Sequence, residues 1–292
     1  MAMKLALVDG YNLAFRAFYG MPELRRADGF PTGALHGWVR SLWAVEDQLK
    51  PDRLVVAFDL GGAARQTALH ADYKANRADT PADLERQIPA LKRWVRACGH
   101  GPVEKEGIEA DDLIAALART QARAGHEVWV VSADKDFAQL IAPGIFQLLP
   151  PPTANPRLGW RPLDRAAVEA KFGVPPECIA ALLALVGDTA DNIPGLRGVG
   201  PKTAAQWLRR YGNLEAIIAN CGELQPRRFQ ALVHAGRDDL RRNLAMTTLD
   251  DAHELPLEDL PPADPAAAIA LLEEMDMPGT VNSLRRRTGR LG

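Results

Sequence analysis

Three short apolar runs in this chain each stop on an acid. Lys4–Val8 (KLALV) ends at Asp9, Arg53–Phe58 ends at Asp59, and Val128–Val131 leads through Ser132-Ala133 to Asp134 and Asp136. Short apolar runs bounded by turn residues read as buried strands. Helical patterns separate them. These cover about Leu13–Tyr19, Gly33–Leu49 after Thr32, a face of Leu84, Ile88, Leu91 and Val95 opened by Thr80-Pro81, and Glu109–Ala124 stopped by Gly125. Alternating strands and helices predict an α/β fold with a central, mostly parallel sheet flanked by helices. Ligands of such sheets sit at the carboxyl ends of the strands, which is where these acids fall.

One acid at a strand end means little, because most such residues cap turns. Asp111 and Asp112 have an equally plain explanation in the preference of acids for a first helical turn. Their coincidence at one sheet edge is harder to explain by capping. Glu109, Asp111 and Asp112 open one helix, and Asp134 and Asp136 follow the next strand. Asp188 and Asp191, in GDTADN after the apolar helix CIAALLALV, bring the set to nine with Asp9 and Asp59. Like charges this close repel, so a fold that gathers them has cations to bind. Carboxylate oxygens suit Mg2+ and Mn2+. Nine exceed the needs of one ion and fit two, the arrangement that serves phosphodiester hydrolysis.

The net charge of −2 does not announce a nucleic-acid partner. With nine acids set aside from the 37, 28 remain against 35 basic residues, so the surround is basic. An acidic centre in a basic surround suits a phosphate-backbone substrate. The chain has no apolar run long enough for a membrane span, and its start turns polar too soon for a signal peptide. Cys98, Cys178 and Cys221 match no metal or disulfide spacing, which fits reduced thiols in a cytosolic protein.

Beyond a proline-rich stretch, Ala142–Pro162, read as a surface loop or hairpin, helical patterns dominate. They cover Leu163–Phe172, Pro176–Val186, Lys202–Tyr211, Leu214–Ala219, about Pro226–Leu244 and Pro265–Met275, before a basic RRRTGR read as a solvated tail. Within them PGLRGVGPKTAAQWL, Pro194–Leu208, looks like a helix-hairpin-helix element. Gly198-Val199-Gly200 lets backbone N–H groups approach a phosphate, the helix N-terminus adds its dipole, and Lys202 and Thr203 stand beside it. Such contacts hold a duplex without reading sequence. In this motif family the hairpin also holds a monovalent cation, which puts K+ among the candidate cofactors. Between the second strand and Thr80 lies a basic segment with Arg65, Tyr73, Lys74 and Arg77. By itself it reads as a solvated loop. Beside a metal centre it offers a ring to stack on a base, cations for phosphates, and Lys74 for charge on the phosphate being cut.

The set LVDGYNLAFRAF, VVAFD, DYKANR, GIEADDLIA, SADKDFAQL, GDTADNIPG and GLRGVGPKTA, in this order, resembles the 5′-nuclease (flap endonuclease) family over about Lys4–Leu249. The likeness is to bacterial 5′–3′ exonucleases, including the amino-terminal domain of DNA polymerase I. It implies a PIN-like nuclease core over residues 1–162, an arch over about 61–97, and a helical DNA-binding region over 163–292 with the hairpin at about 194–208. It also implies that Asp9, Asp59, Glu109, Asp111 and Asp112 serve one ion. Asp134, Asp136, Asp188 and Asp191 would serve the other, some of them shared. Lys74 and Arg77 would belong to the arch, and Arg65 would be the arch-base arginine, one residue farther from Tyr73 than the family pattern places it. The implied activity is two-metal cutting of DNA at a 5′ flap, overhang or nick in replication and repair, leaving a 5′-phosphate and a 3′-hydroxyl. RNA primer–DNA hybrids are compatible substrates. The match ends about forty residues before the sequence does, so a standalone, monomeric cytoplasmic enzyme of the bacterial cytosol or nucleoid is expected. Two other classes stay open: a ribonuclease on a related acidic core, and a non-catalytic binder of branched DNA.

Overall fold

The computed structural model describes residues 2–255 and 262–289. A six-stranded sheet organises it, with strands β1 (Lys4–Asp9), β2 (Arg53–Ala57), β3 (Gly101–Val103), β4 (Glu127–Val131), β5 (Ile145–Leu149) and β6 (Arg161–Leu163) in the order β3-β2-β1-β4-β5-β6. All neighbours are parallel except β5 and β6. Side chains alternate along each strand. Ala6, Val8, Leu54 and Val56 therefore face one layer, while Leu7, Val55, Val128 and Val130 face the other. Helices cover both faces, which is why the strands read as unbroken apolar runs rather than alternating ones. The first layer holds α1 (Gly10–Gly20), α2 (Gly33–Leu49) and α5 (Ile88–Ala97), with Trp38 and Trp94 fully buried. The second holds α6 (Ala110–Arg123).

The proline-rich stretch contains more order than expected. Its start, IFQLL, is β5, an interior strand of the sheet, and the stretch closes as an antiparallel hairpin with β6. A polar Gln147 in the middle of the run hides it from a hydrophobicity reading. The helix expected from Thr80 breaks in two, α4 (Ala82–Glu85) and α5, with Pro81 at the first cap. Pro89 cannot donate to the carbonyl of Glu85 and its ring would strike it, so a continuous helix is excluded there. The break is used: buried Gln87 accepts the Leu35 N–H at 3.1 Å and donates to the Asp83 carbonyl at 2.7 Å. It thereby satisfies an N-terminal donor of α2 that Thr32 does not cap.

Between β2 and α4 runs a crossing segment of one short helix, α3 (Ala64–Leu69), and successive turns. The expected arch over 61–97 is therefore shorter, because α5 belongs to the core. After β6 come α7 (Arg165–Phe172), α8 (Ile179–Val186), α9 (Pro201–Tyr211), α10 (Leu214–Ala219), α11 (Gln230–Ala235) and α12 (Arg237–Thr247) around a separate apolar cluster. The helix expected over Pro226–Leu244 is divided at Gly236 into α11 and α12.

Helices α13 (Pro265–Glu274) and α14 (Pro278–Thr288) return to the first core instead, burying Leu271, Leu272, Val281 and Leu284 against it. The described residues of 163–292 thus pack in two places. Arg285–Arg287 are not a solvated tail. They lie on α14, and Arg287 pairs with Asp47 at 2.8 Å and stacks its guanidinium 5.2 Å from the Trp43 ring. Arg290 of that tail lies outside the described residues. Among the described residues no helix is long and apolar enough to cross a membrane.

Candidate metal centre and nucleic-acid surface

The carboxylates converge because strand ends and helix starts meet at one sheet edge. Asp9 ends β1 and caps α1, accepting the Asn12 N–H at 3.0 Å. Its second oxygen accepts the Ser132 hydroxyl at 2.9 Å, just past β4. Ser132 in turn accepts the Asp134 N–H at 3.0 Å, and Asp134 accepts the Asp136 N–H at 3.0 Å. Asp59, beyond β2, accepts the Ala110 N–H at 2.7 Å and so caps α6 from another element. Fully buried Gln147 of β5 donates to the Ser132 and Asp134 carbonyls at 2.9 and 2.6 Å. The turn that carries the acids is thus pinned from beneath. Asn12, Ser132 and Gln147 were missed by sequence reasoning; the lone amide in IFQLL was the available signal.

Two groups of acids emerge. Burial, then Asp134 and Asp59, push the Asp9 carboxyl up to about 7. Asp111 is raised well above the ordinary range by burial first and then by Asp9 and Asp134. Asp9 and Asp111 are therefore neighbours and each feels Asp59 and Asp134, although among the described residues these acids do not bring three oxygens within 4.8 Å of one another. On the other side, one carboxylate oxygen from each of Asp136, Asp188 and Asp191 lies within 4.8 Å of the others. Burial, then Asp134, Asp188 and Asp191, raise Asp136. Asp134 stands between the two groups and bears on both, rather than on the second alone.

Asp188 and Asp191 owe their place to a minimal hairpin, Gly187–Asp188 paired with Ile193–Pro194. A Cβ on Gly195 would sit 2.2 Å from the Val186 backbone, so only glycine lets this hairpin close on the end of α8.

Three cations sit among these acids. Lys74 pairs with Glu109, Arg77 with Asp191 at 2.6 Å, and Lys135 with Asp188 at 2.8 Å. Burial works against the Lys74 ammonium, but Glu109 outweighs it and holds the group protonated above its ordinary value. The crossing segment is tied down over the Asp188–Asp191 hairpin by several more bonds. Asn76 donates to the Thr189 carbonyl at 2.6 Å, Asn192 to the Asp72 carbonyl at 2.7 Å, and the Lys74 N–H to the Asp191 carbonyl at 3.1 Å. Lys135 was not singled out from sequence, although it stands between Asp134 and Asp136.

Three expected roles change, and the Val199 side chain, whose expected role was in its backbone, is buried. Asp112 does not join the cluster: its oxygens accept Asp250 N–H at 2.8 Å and Gln66 Nε2 at 3.3 Å, and Arg65 lies 3.7 Å away. Successive residues on a helix point about 100° apart, so Asp111 and Asp112 cannot both face the sheet edge. Arg65 is tied to the helical region instead of standing free. It donates to the Ala245 and Thr248 carbonyls at 2.9 and 2.8 Å, closing the C-terminal end of α12. Its shifted sequence spacing is the available signal. Tyr73 turns inward, its hydroxyl donating to Glu109 at 3.1 Å. Val199 is buried in the helical cluster, leaving only its backbone for a ligand. Gly198 adopts φ +78°, Gly200 caps α9, Lys202 is exposed, and Thr203 is half-buried beside it.

The donor set fits hard divalent cations. It is all carboxylate, and Asp136 keeps one buried oxygen without a hydrogen-bond partner among the described residues. Asp136, Asp188 and Asp191 would hold one ion.

Known proteins carry the same arrangement of domains. The family described as 5′-3′ exonuclease, N-terminal resolvase-like domain, matches residues 4–173, and the 5′-3′ exonuclease, C-terminal SAM fold, matches residues 174–268. A 5′-3′ exonuclease of Aquifex aeolicus (strain VF5) is 37% identical over 258 residues, covering 88% of this chain and 86% of that protein. DNA polymerase I of Bacillus caldotenax is 34% identical over 94% of this chain, which spans only 32% of that protein's length. Among solved structures, T5 5′-exonuclease with divalent metal ions (zinc) bound has the same fold, with a TM-score of 0.69 at 21% identity, covering 97% of this chain and 98% of that one. The catalytic core of Rad2 in complex with DNA substrate gives a TM-score of 0.59 at 13% identity, covering 96% and 92%.

Proposed function

The chain belongs to the 5′-3′ exonuclease family, and from that premise we propose that it is a structure-selective 5′ nuclease that hydrolyses DNA phosphodiesters where a 5′ single strand meets duplex. The observation that carries this reading is the pair of carboxylate groups at one sheet edge, joined through Asp134, beneath the Lys74–Arg77 segment. Two divalent ions, Mg2+ or Mn2+, would activate a water and stabilise the departing oxygen. The protein's own residues do the rest. Asp9, Asp59, Asp111 and Asp134 frame one ion, with Glu109 at its margin, and Asp136, Asp188 and Asp191 frame the other. Lys74 and Arg77 are held over the acids by pairs that an incoming phosphate can exchange, which places them to neutralise charge on the phosphate being cut. The turn at Gly198–Gly200 and the first turn of α9, with Lys202 and Thr203, would hold a duplex phosphate. K+ on the hairpin carbonyls belongs to the same reading.

The working unit is read as a nuclease core, residues 1–162 with the returning α13 and α14, and a helical duplex-binding region from 163. It acts as a monomer in the bacterial cytoplasm on 5′ flaps, overhangs and nicks, in replication and repair. RNA at the 5′ strand is accepted as in primer removal.

The test is a 5′ flap labelled at one end, with products mapped in Mg2+, Ca2+ and EDTA. Cutting near the junction in Mg2+ alone is expected, with 5′-phosphate products. Binding without cutting in Mg2+ would leave a branched-DNA binder instead. Asp134→Ala is expected to abolish cutting and keep junction binding; full activity in that variant would remove Asp134 from the site.

A further inference from the structure

We propose that Lys135 is a resident counter-ion of the second cation site, neutralising Asp188 before a divalent ion arrives and keeping that ion weakly bound until DNA is present. The proposal rests on the two-ion reading above.

Of the three cations among the acids, Lys74 and Arg77 belong to the crossing segment. Lys135 belongs to the sheet edge itself. It sits between Asp134 and Asp136 on the turn that Gln147 pins through the Asp134 carbonyl, and its own carbonyl accepts the Ala138 N–H at 3.1 Å. Its ammonium meets Asp188 Oδ2 at 2.8 Å, whereas Oδ1 already accepts the Ala190 N–H at 2.9 Å. The lysine therefore occupies the one Asp188 oxygen that is not used by the backbone. An ion held by Asp136, Asp188 and Asp191 either binds Asp188 while the ammonium stays on the same carboxylate or pushes the ammonium aside.

Both options cost affinity, because two positive charges a few ångströms apart repel strongly in a partly desolvated cleft. Room exists for the second option: the lysine side chain is 41% exposed, against 7% for Asp188. Swung outward, the ammonium stands at the lip of the cleft, where a DNA phosphate would receive it. Neutralisation by Lys135 is also incomplete, since Asp136 retains an unpartnered buried oxygen beside it. The cluster is thus held together without metal yet still attracts one. Substrate phosphate then raises affinity twice, by adding negative charge and by taking the lysine.

The test is Mn2+ binding without DNA, read from the electron paramagnetic resonance signal of the free ion, for the wild type, Lys135→Gln and Lys135→Arg. Lys135→Gln is expected to bind the weaker ion about tenfold more tightly, and Lys135→Arg to stay within about threefold of wild type. In EDTA, Lys135→Gln should melt below wild type and gain more from added Mn2+. Circular dichroism checks that it is folded, and Lys135→Met, which keeps the aliphatic stem, carries the same expectation. Two bound ions with unchanged or weaker second-ion affinity in Lys135→Gln and Lys135→Met would overturn the proposal alone. A single bound ion in every protein would overturn the two-ion reading, and the proposal with it.

Discussion

Replacing Asp9 with asparagine is expected to stabilise the metal-free protein at alkaline pH while removing a candidate ligand. Burial pushes the Asp9 carboxyl up to about 7, against 3.8 for a free aspartate. Between those values the folded protein keeps a proton that the unfolded chain has released. Its stability therefore falls as pH rises through this window and stays reduced above it. Relative to acid pH, the raised pKa then costs on the order of 4 kcal/mol at pH 8 and roughly 1.5 kcal/mol at pH 5. Asparagine keeps the shape, caps helices as well as aspartate does, and can donate to the Ser132 hydroxyl oxygen. Burial of the amide offsets part of the gain, so Asp9→Asn should be more stable by about 2–3 kcal/mol at pH 8 in EDTA and by about 1 kcal/mol or less at pH 5. Urea unfolding followed by circular dichroism measures both. Saturating Mg2+ should shrink the difference, because the ion neutralises the acid in the wild type. Equal stability of the two proteins at pH 8 in EDTA, or a gain that does not shrink at pH 5, would refute the reasoning.

Arg65→Ala leaves Asp112 buried beside an uncapped end of α12, so a loss of about 1–3 kcal/mol is expected in thermal or urea unfolding. A variant that loses DNA affinity without losing stability would return Arg65 to the nucleic-acid surface. Lys202→Ala should weaken duplex binding at all sequences and make the slope of log affinity against log salt shallower by about one; an unchanged slope would make the hairpin structural. Gly195→Ala forces a methyl into the Val186 backbone and should cost about 2–4 kcal/mol, with weaker Mn2+ binding because Asp188 and Asp191 ride on the displaced hairpin.

Much of the fold was written locally. Apolar runs ending at Asp9, Asp59 and Asp134, with helical periods between them, specify a parallel sheet whose acids share one edge, because each crossover helix returns the chain to start the next strand from the same side. The breaks that the pattern missed, at Pro89 and Gly236, also have local causes that a closer reading of proline and glycine positions would find. Strand β5 was hidden for a different reason: Gln147 is polar in sequence, yet fully buried because it bonds two carbonyls of the acid-bearing turn.

Side-chain allegiance is what only the tertiary structure decided. Asp111 and Asp112 are adjacent and chemically identical, but one helical step sends the first toward Asp9 and Asp134 and the second to Asp250 and Gln66. Arg65 and Arg77 read alike within one basic segment. The first closes the end of α12 and the second guards Asp191, because only the packed chain brings residues 180 and 114 positions apart into contact. Sequence determines which charges exist and which sheet edge gathers them. Long-range packing determines which oxygen each charge meets, and that geometry separates a ligand from a cap and a contact to DNA from a strut.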